Sequence, residues 1–574
     1  MVRTLVGFIG LVVAAPVWAK DYYVATLGSD APGCGTASAP CQRINFVFTQ
    51  FQPLPTEADP AVVHVGPGVY RENAAPAAPQ TGFAVPNFTQ LISDRGADET
   101  ALEVDLGALA LSGIVEVVRG EKFGIPDNAE GIVIDGFTLR GPGGVVKLDN
   151  HQLIGINFGA GVSTQVAPRH NVIRNNLIAV QNQMGRTQSL QEGAGVYATG
   201  GVTIDCNVFQ NIDSVGIALS SVESNSDGTN ATQPAVITRN WFRGFTDTAA
   251  VDAGMPSDDE FIAVGVRVPA TIRGNLLDFQ RPQGNDRDFG IACFDCSHLV
   301  VENNLLVNFT DLGAPIALVS VGSYGATPFT PRLAFNTVAG AKDGVQHYLL
   351  NAASQPNFAP TVTSSILWVP SPLTEADGGT AVFDVQFSNT QAAVDGSGNI
   401  SADPRFVNVT TGDYQLSDGS PSAMAGEGSA QQGAYGGPSP FGTPTDARRA
   451  CALRETPLSF PDECLGAADG MACGNAHCDG NTARRPVCAA QACGDTAMLS
   501  ENCDDGDPCT ADFCQEGPGC GHTRTCGEPT EPATEQPGGV VTGRCGCGAA
   551  NAALGWSALY GLFIFLRRRR RATR

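Results

Sequence analysis

The chain has 574 residues, only 16% of them charged, and a formal net charge of −23. Seven of its 34 basic residues lie in the first 19 and last 30 positions, so the part between them holds 27 basic against 57 acidic residues. Such a surface repels nucleic acids and anionic lipids, which are bound by clustered Lys and Arg, and no nucleic-acid partner is expected. Its 68 glycines, with few helix formers, favour short strands joined by turns.

The first 19 residues have the pattern of a secretory signal peptide. Arg3 supplies the positive charge, and residues 5–17 form the apolar stretch. Val17, Trp18 and Ala19 then form the cleavage site before Lys20. We therefore expect residues 1–19 to be removed and the mature chain to be exported.

A short strand and a helix are predicted after this leader. Residues 22–26 alternate like a strand, and residues 28–30 have the composition of a turn. The helix is indicated by four apolar residues at the spacing of one helical face, Ile44, Val47, Phe48 and Phe51. A helix at this place would plug the open end of a solenoid.

An internal repeat then sets the architecture. Its pattern, apolar-x-x-Asn-x-apolar, recurs every 29 to 35 residues, and related units occupy residues 134–139 and 362–367. The six repeat asparagines are Asn176, Asn207, Asn240, Asn275, Asn304 and Asn336. Repeats of this length indicate stacked units, and no amphipathic helix separates the copies. The sequence therefore predicts an all-β fold, a right-handed parallel β-helix.

We expect the six asparagines to form a structural ladder rather than a ligand site. Asn tolerates the left-handed backbone that a tight bend between two strands requires. Stacked coils would bring equivalent amides about 4.8 Å apart, within reach of each other for hydrogen bonding along the stack.

Several segments of this body resemble a known family. They are YYVATLGSDAPGCGTASAPCQRI from residue 22, VHVGPGVYREN from residue 63, GIVIDGFTLRG from residue 131, and the closing motifs DPRF at 403–406 and SP at 420–421. These segments resemble surface β-helix proteins of the pectate-lyase-like superfamily, of the choice-of-anchor Q type. The resemblance covers residues 21–437 and implies a shared β-helical body with variable C-terminal anchors.

Five cysteines and histidines of the body are candidates for cross-links or metal binding. Cys34 and Cys41 flank a short Gly/Ala/Ser loop that can close with little strain, so we expect a disulfide that clamps this loop over the helix. Cys293, Cys296 and His298 form a possible zinc fragment, but zinc needs four ligands and no second pair lies nearby. An oxidised cysteine pair or two buried thiols is the favoured interpretation.

Eleven further cysteines lie between residues 451 and 526, which indicates a small disulfide-rich module in an exported protein. Because eleven is odd, one of them must be free or pair outside the module. The full EF-hand spacing is missing, so structural Ca²⁺ stays an alternative and no other cofactor is expected. The oxygen ligands for such a Ca²⁺ would come from Asp504, Asp505, Asp507 and Asp512.

The last thirty residues combine Cys545 and Cys547 with an uncharged run at 549–566 and five arginines at 567–571. About 20 apolar residues span a bilayer, so the run just suffices, and the arginines would face the cytoplasm. This combination resembles the myxobacterial C-terminal sorting signal (MYXO-CTERM type). The resemblance implies a membrane protease that cleaves near Cys545 or Cys547, with the protein remaining on the cell surface. A permanent C-terminal anchor helix is the alternative.

These features divide the chain into six segments. They are the signal peptide (1–19), the β-helix (20–437), a linker (438–450), the cysteine-rich module (451–526), a Pro- and Glu-rich spacer (527–544), and the sorting segment (545–574).

Four aspartates are the candidates for catalysis. Asp259 and Asp288 are 29 residues apart, close to one coil, and a solenoid hydrolase needs paired carboxylates on adjacent coils. Asp258 and Asp286 accompany them. The four lysines do not cluster and the arginines are scattered among turns, so no base for a lyase is evident. We expect a non-catalytic surface protein that binds polysaccharide or another cell-surface ligand; a surface-tethered polysaccharide lyase or glycoside hydrolase is the alternative.

Overall fold

The structure is a computed structural model. It describes residues 20–73, 81–105, 113–121, 129–140, 151–158, 171–179, 194–198, 201–210, 212, 215–219, 234–243, 262–279, 289–294, 298–309, 314–320, 330–349, 359–376, 383–441, 477–479, 482–489, 492–502, 510–515 and 519–524.

Three long parallel sheets make up the body, and each of ten complete coils contributes one strand to each sheet. The first sheet has twelve strands: Lys20–Val24, Ala61–Val65, Thr89–Ser93, Val133–Asp135, Asn171–Arg174, Val202–Asp205, Ala235–Thr238, Ala270–Arg273, Leu299–Glu302, Arg332–Ala334, Thr361–Thr363 and Asp384–Gln386. The second has eleven: Gly68–Glu72, Thr100–Val104, Thr138–Arg140, Leu177–Ala179, Val208–Gln210, Trp241–Arg243, Leu276–Asp278, Leu305–Val307, Thr337–Ala339, Ile366–Trp368 and Asn389–Thr390. The third has ten: Thr81–Pro86, Gly113–Glu121, His151–Phe158, Ala194–Ala198, Val215–Leu219, Ile262–Val266, Phe289–Phe294, Ala314–Ser320, Asp343–Leu349 and Ser371–Ala376. The prediction of an all-β parallel β-helix is confirmed.

The interior is filled by the apolar positions of the repeat. Side chains alternate between the two faces of a strand, so one residue in two points into the cylinder. Phe209 and Phe242 illustrate this, since they are fully buried on adjacent coils and their rings stack with centroids 4.6 Å apart. The equivalent positions of the first sheet are also buried, at Ile173, Ile204, Ile237, Ile272, Val301 and Leu333.

The six repeat asparagines lie in one continuous line between the first and second sheets. Each of the four inner amides bonds to the ladder asparagines on both sides. At Asn207, for example, Nδ2 donates to Oδ1 of Asn240 at 3.0 Å, and the same oxygen accepts the backbone N–H of Asn207 at 2.9 Å. The line runs on through Ser365, whose hydroxyl oxygen accepts the N–H of Asn336, and reaches Ser388. The amides therefore join six successive coils.

The expected backbone role of these asparagines is wrong. None of the six, all of which the structure describes, has a positive φ. The left-handed residue is the one before each ladder position, as at Asn175, Cys206 and Arg239, where φ is 56°, 58° and 54°. That bend aims the next side chain into the corner between two sheets. Asparagine is thus needed there for its amide, which donates and accepts at once.

The predicted end-capping helix is present but short, spanning Ile44–Phe48. Phe51 is buried with the helical face, yet it lies beyond the end of the helix. The carboxylate of Glu72 caps the first turn by accepting the N–H groups of Ile44 and Asn45 at 2.7 and 2.8 Å. Burial raises the pKa of Glu72 to about 7, although both N–H donors act in the opposite direction.

Cys34 and Cys41 form a disulfide, with their Cα atoms 5.0 Å apart. The loop that they close pairs with the first strand, because the N–H of Tyr23 donates to the carbonyl of Gly35 at 2.9 Å. A Cβ atom on Gly35 would meet the side chain of Val47 at 3.4 Å. The loop therefore lies against both the first strand and the capping helix.

Residues 403–441 fold back over the outer face of the second sheet. They contain the antiparallel strands Phe406–Asn408 and Asp413–Leu416 and the 3₁₀ helices Val409–Thr411, Pro421–Ala423 and Glu427–Ser429. Tyr414, Ala434 and Phe441 join an apolar cluster with residues of that face, Leu276, Leu305, Val307 and Ala339. This closing segment covers part of the outer face of the second sheet.

The predicted cysteine-rich module contains two antiparallel sheets. One consists of His477–Asp479, Thr482–Ala489 and Ala492–Asn502, and the other of Thr510–Gln515 and Gly519–Arg524. Within the part of the chain that the structure describes, no helix is long and apolar enough to cross a membrane. The predicted span at 549–566, the signal peptide and the spacer lie outside that part.

Candidate functional site

The residues singled out as catalytic or processing candidates lie outside the described residues. This holds for Asp258, Asp259, Asp286 and Asp288, for Cys545 and Cys547, and for three of the calcium candidates, Asp504, Asp505 and Asp507. Asp512 lies in the strand Thr510–Gln515. Cys293 and Cys206 are disulfide-bonded, so the zinc fragment and the buried-thiol interpretation both fail at Cys293.

On the four strands from Val215–Leu219 to Ala314–Ser320, the outer face of the third sheet is apolar. Its side chains form a cluster separate from the interior, which is lined on the same strands by residues such as Ile217, Val264 and Ile291. Two registered outer rows cross this face: Val215, Ile262, Phe289 and Ala314; and Ala218, Gly265, Ala292 and Ala317. These eight positions hold no ionisable side chain. These eight positions therefore supply no side chain for acid–base catalysis.

The outer face of the first sheet is charged instead. Four arginines and three acids succeed one another along seven consecutive coils, and we call this set the arginine strip. Its members are Asp135, Arg174, Asp205, Arg239, Arg273, Glu302 and Arg332.

Each acid of the strip holds at least one arginine from a neighbouring coil. Nε of Arg174 donates to Asp135 at 2.9 Å, and Nε of Arg239 donates to Asp205 at 2.9 Å. Arg239 makes a second bond to the other oxygen of Asp205, a bidentate arrangement. This hydrogen bond is the main reason why the pKa of Arg239 is raised, and burial opposes it.

Glu302 is shared by two arginines. Nε and Nη2 of Arg273 donate to its Oε2 at 3.1 and 2.7 Å, and Arg332 donates to its Oε1. Two positive charges thus flank one negative charge. The second sheet carries the same arrangement near the N-terminal end, where Arg71 and Arg140 both bind Glu103.

The arginine strip presents mainly positive charge to solvent. The side chains of its four arginines are 42–56% exposed, whereas those of its three acids are only 5–18% exposed. The carboxylates are thus largely covered, while about half of each arginine side chain that binds them stays exposed. Guanidinium groups presented in this way suit carboxylate and sulfate ligands.

A second ionisable cluster surrounds His64 in the second coil. Its Nδ1 lies 3.1 Å from Asp94 and its Nε2 3.2 Å from Asp21, while the ring of Tyr23 stacks on it at 4.9 Å. Burial lowers the pKa of His64, but the two carboxylates outweigh burial and the pKa is raised. One ring nitrogen faces Asp21 of the first strand and the other faces Asp94, directly after the third strand, so the imidazole ring links three neighbouring coils.

Sequence reasoning missed the arginine strip, because the arginines were interpreted as scattered among turns. The signal for the strip in the sequence is a fixed number of residues between its members and the ladder asparagines. Arg174, Asp205, Arg273 and Glu302 each stand two residues before a ladder asparagine, at the last position of a strand of the first sheet. Residues at one offset of a solenoid repeat stack directly on one another, so this offset alone would have aligned them.

Comparisons with solved structures find distant likenesses only. The A-module of the Azotobacter vinelandii mannuronan C-5 epimerase AlgE6 matches 59% of this chain and 87% of its own, with 13% identity and a TM-score of 0.32. The catalytic domain of a GH87 alpha-1,3-glucanase in complex with nigerose matches 65% of this chain and 68% of its own, with 14% identity and a TM-score of 0.28. No family model matches the chain, and no curated protein is significantly similar. The assignment of the fold rests on the strand pairing, and these likenesses carry no argument about activity.

Proposed function

We propose that this protein is an exported, surface-anchored β-helix that binds an acidic polysaccharide on the arginine strip and catalyses no reaction. The strip carries the proposal, because half-exposed arginines are aligned there over buried acids on a rigid face. The leader at 1–19 and the segment at 545–574 support export and surface anchoring.

The rigid scaffold favours binding of this kind. Parallel pairing along the first sheet fixes the strands, and ion pairs with the acids hold the guanidinium groups, so less ordering entropy is lost on binding. Among the described residues of the third sheet, the apolar cluster on the outer face of the strands from Val215–Leu219 to Ala314–Ser320 contains no charged group.

The test compares two matched triads of the same chemistry. In the first variant, Arg273→Gln, Glu302→Gln and Arg332→Gln neutralise one end of the strip without leaving a buried charge. In the control, Arg71→Gln, Glu103→Gln and Arg140→Gln change the net charge equally on another sheet. Binding to a polyuronate and to a sulfated polysaccharide is measured by isothermal titration calorimetry at fixed salt.

We expect the strip variant to lose about 2- to 25-fold in affinity, because it removes two of the four arginines and an exposed ion pair contributes a factor of roughly 1.5 to 5. The control should bind like the unmodified protein. Equal loss in both variants, or equal retention, would contradict the proposal, as would equally tight binding of a neutral glucan.

A further inference from the structure

The arginine strip has a direction, because its arginines follow the long axis of the β-helix. Six successive strands of the first sheet run from Asn171–Arg174 to Arg332–Ala334. The first, fourth and sixth of these strands each contain an arginine of the strip, and the third is directly followed by one. Neighbouring strands are about 4.8 Å apart, so the arginines cover about 24 Å in steps of about one or two strand spacings.

A second registered row runs beside the charged one on the same outer face. It alternates apolar and hydroxyl side chains, which are half-buried or exposed: Val172, Thr203, Val236, Thr271 and Val300. Threonine hydroxyls can bond to sugar hydroxyls, and valine methyls can pack on the C–H groups of a sugar ring. The row ends at Arg332, where it meets the strip.

We infer that the strip and this row together bind a linear polysaccharide with one anionic group per sugar, laid lengthwise along the β-helix. This inference rests on the proposed function and adds the orientation and repeat of the ligand. An extended sugar is about as long as one strand spacing, so successive sugars meet successive coils. Ligand charges then coincide with arginines at four of the six strands.

Lengthwise binding makes affinity depend on oligomer length. An exposed ion pair contributes a factor of roughly 1.5 to 5 in affinity, so a single charged sugar binds too weakly to detect. About six sugars are needed to reach from Arg174 to Arg332 at about 4.8 Å per step. Affinity should therefore rise up to the hexamer and level off beyond it.

Arg174 provides a selective test, because it is the arginine nearest one end of the strip and lies two strands from the next arginine, Arg239. A tetramer can occupy the four strands from Ala235–Thr238 to Arg332–Ala334 without reaching Arg174. In Arg174→Gln, affinity for the hexamer should therefore fall by roughly 1.5- to 5-fold while affinity for the tetramer stays unchanged. Arg71→Gln, on the second sheet, is the control and should change neither.

The experiment measures affinities of the exported chain for oligomers of two, four, six and eight sugars by calorimetry. Oligouronates and sulfated oligosaccharides form separate arms, and whichever arm binds identifies the anionic group. A plateau at the dimer, or an equal loss for tetramer and hexamer in Arg174→Gln, would overturn the lengthwise arrangement but leave the proposed function standing. Absence of binding in both arms at every length, and for the polymers, would refute the proposed function itself.

Discussion

Replacing Asn240 with Leu should break the asparagine ladder at its centre. The side chain of Asn240 makes four hydrogen bonds while almost fully buried. Its Oδ1 accepts the backbone N–H and Nδ2 of Asn207, and its Nδ2 donates to the carbonyl of Ile204 and to Oδ1 of Asn275, all at 2.8–3.0 Å. Leucine can replace none of these bonds.

The expected cost is about 3 kcal/mol. The backbone N–H of Asn207 is left buried without an acceptor, which costs about 2 kcal/mol, and the three other bonds are worth about 1 kcal/mol each. Burial of the leucine side chain offsets about 2 kcal/mol of this sum. The Oδ1 atom of Asn275 is not left without a donor by the substitution, because it still accepts the backbone N–H of residue 240.

Urea unfolding followed by circular dichroism measures the global change, and hydrogen exchange at the Asn207 amide measures the local one. Asn240→Ser should cost less than Asn240→Leu, because serine at ladder position 365 already accepts a backbone N–H from the preceding coil. Val236→Thr, an exposed change on the same coil, should stay within about 0.5 kcal/mol. If the Asn207 amide stays protected in Asn240→Leu and the unfolding midpoint is unchanged, the ladder does not contribute as argued.

Three further predictions concern pH, catalysis and processing. His64, with its raised pKa, contributes stability that is fully present below its unfolded pKa of about 6.5 and lost as pH rises through the folded value. Glu72 acts in the same direction, since its pKa rises from 4.5 to about 7 and its ionisation above pH 4.5 is opposed by folding. Urea unfolding should therefore show stability falling between about pH 5 and 8, and falling less steeply in His64→Gln. Incubation with pectin, alginate or chondroitin, with and without Ca²⁺, should yield neither unsaturated products nor new reducing ends; turnover that disappears in Asp259→Asn would contradict this. Mass spectrometry of surface-located protein should find a C-terminus near Cys545 or Cys547, and recovery of residues 567–574 would indicate a permanent anchor instead.

The β-helix could be predicted because its signal lies in one repeated residue. Asparagine recurs at one place in every coil from Asn176 to Asn336, and the apolar residues around it recur with it. The backbone role of that asparagine could not be predicted, because the left-handed residue before it changes identity from coil to coil. Asparagine, cysteine, arginine and phenylalanine all take that position, at Asn175, Cys206, Arg239 and Phe335.

The arginine strip escaped sequence analysis for a related reason. The position two residues before the ladder is Arg174, Asp205, Thr238, Arg273 and Glu302 in successive coils, so no residue type repeats. The feature that repeats is opposite charge on neighbouring coils, since each acid binds an arginine that is 29 to 39 residues away in the sequence. Contacts of that kind become visible only after the coils have been aligned on the ladder.

Stability alone does not account for an acid that is shared by two arginines. One arginine is enough to compensate a largely buried carboxylate, yet Glu302 binds Arg273 and Arg332, and Glu103 binds Arg71 and Arg140. The second arginine adds an exposed positive charge to a chain whose residues 20–544 include 57 acidic and 27 basic ones. At physiological salt, interactions between exposed charges are largely screened beyond about 8 Å, so a polyanion on the strip would experience its arginines more strongly than the distant acidic surface. At low salt that surface repels the same polyanion, and at high salt the contacts with the strip weaken, so salt acts on the proposed ligand in two opposite directions.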